Sequence, residues 1–372
     1  MHRRLFFYRL VSAIITVFFS MTGFALSLNN IDDDTIVTQL PKTITLITNE
    51  TDLLRRQLKQ QPNNIDIATA LAKRYIQTAQ NQSDPRFLGY AQGVLSPWWH
   101  TDKPPVDVRI LRATIYQNQH RFNEALIDLD AAIKAEPTRQ QAWLLKATVH
   151  QSLGQHPQAI GSCYQLGQYA TSLISSGCMA ASLYESGLAG RAMGLLDALA
   201  QENINQQTPE IQQWLYTLFA ETSAQLNQAR AETFFRQALG VKKRSPHLLL
   251  SYSDYLLKQQ LPQNVIALLA KDDTLDDTLL LQLARSYRAM GDIENTEKYK
   301  FLLSQRFKTA ESQNSLLHQA SAARFALEFE DDKQKALTLA KNNWKQQKTY
   351  RDKKLLKDIV ATMSKNASTS LR

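Results

Sequence analysis

Glycine and proline are scarce in this chain, 12 and 11 among 372 residues, below their average usage of about 7% and about 5%. Sandwiches and barrels draw on both for many tight turns, so the scarcity argues against them and favours long helices with short joints. Cysteine is nearly absent: Cys163 and Cys178 are the only two. Their spacing is nothing like Cys-x-x-Cys, which argues against a redox pair. Neither has a histidine at ligand spacing, so no metal or other cofactor is expected. The sequence also lacks a Gly-x-Ser-x-Gly elbow, a phosphate-binding glycine loop, a His-Glu-x-x-His helix and an Asp-x-Asp calcium loop. Its acidic runs, Asp32–Asp34, Asp272-Asp273, Asp276-Asp277 and Glu328–Asp332, fall at a linker or at expected turns, where carboxylates cap helices. A binding protein is therefore expected, not an enzyme.

Charge is unevenly spread. The net charge is +9, but from Lys333 onward eleven basic residues face only Asp352 and Asp358, so the first 332 residues balance near zero. A basic tail needs explaining, not a basic protein. It reads as a solvated cap face or as a contact with a membrane surface.

The start is basic (His2-Arg3-Arg4, with Arg9), and an apolar stretch from Leu10 to Ala25 follows. Gly23 and Ala25 suit a signal-peptidase site, so residues 1–25 are expected to be a signal peptide, or an uncleaved N-terminal anchor reaching from Phe6 to Leu28. No cysteine follows the apolar run, which excludes a lipoprotein. Either reading places the rest in an oxidising space outside the cytoplasm, the periplasm or the inner-membrane surface, where nucleic acid is not an expected partner. Residues 26–49 are polar and partly β-branched and read as a linker.

What is abundant is a repeat. Ala113, Tyr116, Phe122, Ala125, Leu129, Ala132 and Pro137 are followed in register by Trp143, Ala147, Gly154, Ala159, Cys163 and Leu166, with Ala113/Ala147 and Ala125/Ala159 each 34 apart. A small residue on each of two helices lets their backbones cross closely, large residues fill the groove beside them, and proline ends the pair. Weaker copies surround this one: Ala72, Tyr75 and Ala91 upstream, and downstream Ala180 with Ala192, Trp214 with Phe235 and Ala238, and Tyr252 with Val265–Leu269. That last pair looks interrupted by Pro262. Ala284, Tyr287 and Gly291 begin another, whose second helix carries Thr296 where alanine is expected. Ala320–Phe329 with Ala336 and Ala340 is the last, and Asp352–Met363 reads as a capping helix.

Over roughly residues 50–345 the sequence resembles the tetratricopeptide repeat family, and its end resembles exported bacterial members of unassigned function. The resemblance implies an all-α fold, a right-handed superhelical solenoid of antiparallel helix pairs, with residues 346–372 as basic capping helix and tail. It also implies that the first (A) helices line a concave face that binds a partner protein or peptide. Arg109, Arg112, Gln141, Lys146 and Gln213 are candidates for that face, because a packed core does not need them. Substituting the two arginines is then expected to weaken partner capture without melting the fold. A structural adaptor docked to membrane by the basic end is the alternative.

In this register Cys163 and Cys178 sit on successive helices about 8–10 Å apart and read as a disulfide or as two buried thiols. The Trp98-Trp99 pair, between Pro97 and Pro104-Pro105, either stacks a ligand or fills the joint between repeats. Trp143, Trp214 and Trp344 read as packing.

Overall fold

The computed structural model of the chain describes residues 49–200, 202–241, 245–272, 275–312 and 319–369. The chain divides into Met1–Leu46 and Ile47–Arg372. The expected signal or anchor at 1–25 and nearly all of the linker at 26–49 lie outside the described residues.

The second unit is all-α among its described residues. Helix α1 (Asn49–Gln60) precedes the first pair, α2 (Ile65–Gln82) with α3 (Arg86–Val94), and a four-residue α4 (Ser96–Trp99) follows. Then come α5 (Val106–Asn118) with α6 (Phe122–Ala135), α7 (Gln140–Ser152) with α8 (His156–Leu166), and α9 (Ser172–Glu185) with α10 (Ala189–Leu199). The second half holds α11 (Pro209–Gln225) with α12 (Ala231–Gly240), α13 (Pro246–Lys258) with α14 (Pro262–Leu269), and α15 (Asp277–Met290) with α16 (Ile293–Ser312). The final pair is α17 (Gln319–Phe329) with α18 (Lys333–Gln346), and α19 (Tyr350–Thr369) closes the series.

One backbone device turns every pair. Among the described residues, those with left-handed φ are Ser83, His120, Gly154, Gly187, Asn227, Gln260, Gly291 and Asp331, one between the two helices of each pair. In seven pairs the next residue donates its N–H to the carbonyl five positions back, as Arg121 does to Tyr116 at 2.8 Å, Gln155 to His150 at 2.8 Å and Asp292 to Tyr287 at 3.0 Å. This closes the last turn of the A helix on itself. Glycine takes that conformation freely, whereas a side chain there costs about 1 kcal/mol or more.

Close helix crossings explain the recurring alanines. Ala113, Ala125, Ala147, Ala159, Ala180 and Ala192 are all wholly buried. Gly177 on α9 plays the same part more tightly: a Cβ there would lie 2.8 Å from the Trp214 ring and 2.9 Å from Leu215 Cδ2 of α11. Apolar contacts form a series of local clusters, each joining a helix pair to its neighbour, as a solenoid requires. Pro262 does not interrupt its pair. It opens α14 in the first turn, where a fixed φ and a missing N–H do no harm. Thr296 takes the alanine position of α16 by donating its hydroxyl to the Asp292 carbonyl at 2.6 Å.

The Cys163 and Cys178 sulfurs are bonded, with Cα atoms 5.5 Å apart, tying α8 to α9. A cross-link of this span restricts the unfolded chain by about 3 kcal/mol in the chain-entropy model. At the C-terminal end, Leu355 and Ile359 of α19 are buried against Ala323, Ala326, Ala336 and Ala340 of α17 and α18. Among the described residues, no helix is long and apolar enough to cross a membrane.

Candidate functional site

The A helices present polar side chains to an interior channel. A cavity of about 840 Å³ is lined by Gln77, Gln80 and Asn81 of α2, Thr148 and Gln151 of α7, and Tyr184 and Glu185 of α9, with Glu210, Gln213, Trp214 and Glu221 of α11 and His247 of α13. Among the described residues, no lysine or arginine lies on its lining, although the chain as a whole is basic. A second cavity of about 340 Å³ shares Tyr184, Glu185, Glu221, His247 and Thr349, and adds Asp254, Gln282, Arg324 and Arg351. The channel closes partly because the coil brings α2 against α13, five pairs later.

Between the cavities runs the chain's own segment joining α18 to α19. Lys348 donates its backbone N–H to the Ser152 carbonyl at 2.7 Å. Gly154 leaves room for it, since a Cβ there would stand 3.0 Å from Lys348 Cβ. The Tyr350 N–H donates to Glu185 Oε2 at 2.7 Å, and its ring centroid lies 5.7 Å from that of Tyr184. The Arg351 guanidinium reaches Asp254 and donates to Ser251 Oγ at 3.0 Å. Thr349 and Asp352 hold the segment in place. Thr349 donates its N–H to Asp352 Oδ2 at 3.1 Å, and Asp352 returns its N–H to Thr349 Oγ1 at 3.2 Å, a reciprocal cap that starts α19. Arg351, grouped in the sequence with a solvated basic face, therefore turns inward.

Three carboxylates converge here from successive repeats. Burial pushes the Glu185 carboxyl up to about 7; the Tyr350 N–H pulls it down and the neighbouring Glu221 charge pushes it further up. Burial pushes Glu221 up as well, but His247 and the Ser251 hydroxyl outweigh it and hold this carboxyl below its usual range. His247 is raised in turn, chiefly by Glu221. Asp254 is lowered because Arg351, Arg324 and Arg285 together overcome its burial. The His247 side chain nevertheless remains 66% accessible: protein surrounds the group, but the channel brings water to it. The site is a wet recess of reduced polarity and not a dry core.

Ser251, His247 and Glu221 do not form a nucleophile relay. His247 Nε2 lies 3.0 Å from Glu221 Oε1, and Ser251 donates to the same oxygen at 2.5 Å. A relay needs serine to face the histidine, whereas here both converge on one carboxylate. Among the described residues, no group of three or more His, Cys, Asp or Glu side chains is placed to hold a metal ion.

Of the candidates named from the sequence, Gln213 lines the larger cavity, where it also donates to the Ala238 carbonyl at 3.5 Å. Arg112 is engaged elsewhere, donating from Nε and Nη2 to the buried Asp128 at 2.6 and 2.5 Å. Arg109 donates to the Pro104 carbonyl at 3.0 Å and stands 3.6 Å from Asp128. Either arginine would reach a partner only by loosening its hold on Asp128. Lys146 pairs with Asp130 at 2.6 Å, and Gln141 is exposed. Trp99 is buried edge-on to Tyr116, their centroids 5.6 Å apart, and Trp98 is half-buried in the same cluster. Glu185, Glu221 and Asp254 escaped sequence reasoning. Their spacings of 36 and 33 residues are near one repeat, and that was the only signal.

Neither protein-family models nor curated proteins match the chain. Solved structures do. Human IFIT1, in a dimer with m7Gppp-AAAA, is 13% identical with a TM-score of 0.50, the alignment covering 86% of this chain and 87% of that one. With eight successive helix pairs among the described residues, that likeness decides the architecture. The fold is of the tetratricopeptide type. Two further tetratricopeptide-like matches have lower scores. PilW, a type IV pilus biogenesis factor, is 18% identical at a TM-score of 0.44, covering 57% of this chain and 98% of its own. A tetratricopeptide repeat protein from Parabacteroides merdae is 17% identical at 0.43, covering 68% and 90%. At such identities the likeness concerns the fold alone.

Proposed function

We propose that this tetratricopeptide-type chain is a cell-envelope interaction scaffold that holds an extended segment of a partner protein in the channel lined by its A helices. One observation carries the reading: the chain already seats an extended segment of its own there, through backbone N–H groups given to Ser152 and Glu185. Side-chain amides of Gln77, Gln80, Asn81 and Gln151 stand along the adjoining cavity, and amides can both donate to and accept from a peptide backbone. A place outside the cytoplasm rests on the basic-then-apolar N-terminus and agrees with a Cys163–Cys178 bond. A nucleic acid would bring phosphates to Glu185, Glu210 and Glu221, with no lysine or arginine among the described residues of that lining, so protein is the favoured partner.

A photo-crosslinking residue placed in living cells at Gln77 or Glu210, both exposed in the channel, tests this. The same partner should cross-link from both positions and not from Ile127 on the outer surface, which is 68% exposed. Cross-links from Ile127 alone would move the function to the other face.

A further inference from the structure

We propose that the larger cavity selects partner segments carrying a basic side chain, which enters beside Glu185 and Glu210 in line with the chain's own docked segment. The inference deepens the scaffold reading and rests on it.

Two independent observations point to that chemistry. The first is the internal occupant. Residues 348–351 are Lys-Thr-Tyr-Arg, a basic stretch, and its arginine is received by Asp254 and Ser251 while its backbone is received by α7 and α9. The channel thus already receives one basic segment, the chain's own, whose arginine is taken up at the second cavity. The second is charge complementarity. Thr349 forms part of the larger cavity's wall, and beyond it the described lining carries Glu185, Glu210 and Glu221, with His247 as the one basic group among the described residues. His247 is committed to Glu221. Glu185 receives the Tyr350 N–H on Oε2, and Glu210 is exposed at the start of α11. An incoming guanidinium or ammonium would therefore find two carboxylates.

The groups facing Glu185 set the pH dependence. Glu221 and His247 come from α11 and α13, Tyr350, Arg351 and Asp352 from the start of α19, and Tyr184 precedes it on α9. With its carboxyl near 7, Glu185 gains its charge as pH rises from 6 to 8. His247, raised by Glu221, loses a positive charge as pH rises through its own titration. Both changes make the cavity more negative, so a cationic segment should bind more tightly toward pH 8.

The test uses a displayed library of random nonapeptides, selected on the full chain at pH 8. Selected peptides should share a lysine or arginine at one position. Glu185→Gln and Glu210→Gln should each weaken them tenfold or more, the range of one charge-assisted contact, while Glu294→Gln, outside the cavity, should leave affinity unchanged. Weakening at pH 6 and at high salt should accompany this. Melting of Glu210→Gln equal to the parent, and of Glu185→Gln no lower than the parent, separates lost charge from lost fold. Binders that depend on the channel but lack a shared basic residue would overturn this inference and leave the scaffold reading intact. A selection that yields no channel-dependent binder removes both.

Discussion

Replacing Arg112 by alanine should destabilise the chain near its first repeats, and the magnitude follows from what it leaves behind. Asp128 on α6 is 2% exposed, and its two oxygens receive Nη2 and Nε of Arg112 at 2.5 and 2.6 Å. Arg112 also donates to the Trp99 carbonyl, and its guanidinium lies 5.8 Å from the Trp99 ring centroid. Without it, the carboxylate keeps only Arg109 at 3.6 Å. Removing one partner of a buried pair typically costs about 3–5 kcal/mol, because a charge remains where water cannot reach it. Arg109 can move closer, so the lower end, about 3 kcal/mol, is expected. Solenoids can unfold in parts, so a urea titration should be followed by tryptophan fluorescence in a background where Trp143, Trp214 and Trp344 are replaced by phenylalanine, leaving Trp98 and Trp99, beside far-UV circular dichroism. Arg112→Met combined with Asp128→Leu should recover most of the loss, since it removes both charges. A single-variant loss below about 1 kcal/mol would refute the reasoning. Arg112 would then be free for a partner, as the sequence taken alone suggests.

Gly177→Ala should destabilise by about 1–3 kcal/mol, the usual range for overpacking, because its methyl would stand 2.8 Å from the Trp214 ring. A lowered melting temperature, partly restored by adding Trp214→Leu, checks this, and an unchanged melt would show that α9 and α11 separate easily. Glu185 should make stability fall with rising pH. Its carboxyl titrates about 7 in the folded chain against an ordinary 4.5, so between those values the folded state holds a proton that the unfolded state has lost. That contribution is complete below pH 4.5 and gone above pH 7. Glu185→Gln removes the dependence, so the variant should gain about 1–3 kcal/mol over the parent between pH 5 and pH 8. Parallel stability curves would contradict the assignment.

The repeat was legible because it rests on volume. Ala113, Ala125, Ala147 and Ala159 sit where two backbones cross, and a larger side chain would separate them, so the 34-residue period survives whatever decorates the surface. The left-handed turns were half legible. Gly154, Gly187 and Gly291 announce themselves, whereas His120, Gln260 and Asp331 hold the same conformation with side chains that carry no such signal. The channel was nearly hidden. Glu185, Glu221 and Asp254 are single residues in three different helices, without the clustering that makes the acidic runs conspicuous in the sequence. Arg109 and Arg112 carry a role that their spacing does not announce. A polar residue on an A helix looks unneeded by the core, but Asp128, at 2% exposure, makes one of them part of it.

The C-terminal end shows how a short local signal decides a long-range contact. The sequence Thr349-Tyr350-Arg351-Asp352 has the spacing of a reciprocal cap, a hydroxyl at the N-cap and a carboxylate three residues on. That cap places the first turn of α19 at Tyr350, and the burial of Leu355 and Ile359 fixes the rotation of the helix. With start and rotation set, Arg351 must point toward Asp254 while Lys353 and Lys354 remain exposed. Of a tail that looked uniformly basic, the inward side chain is therefore singled out by a threonine and an aspartate beside it.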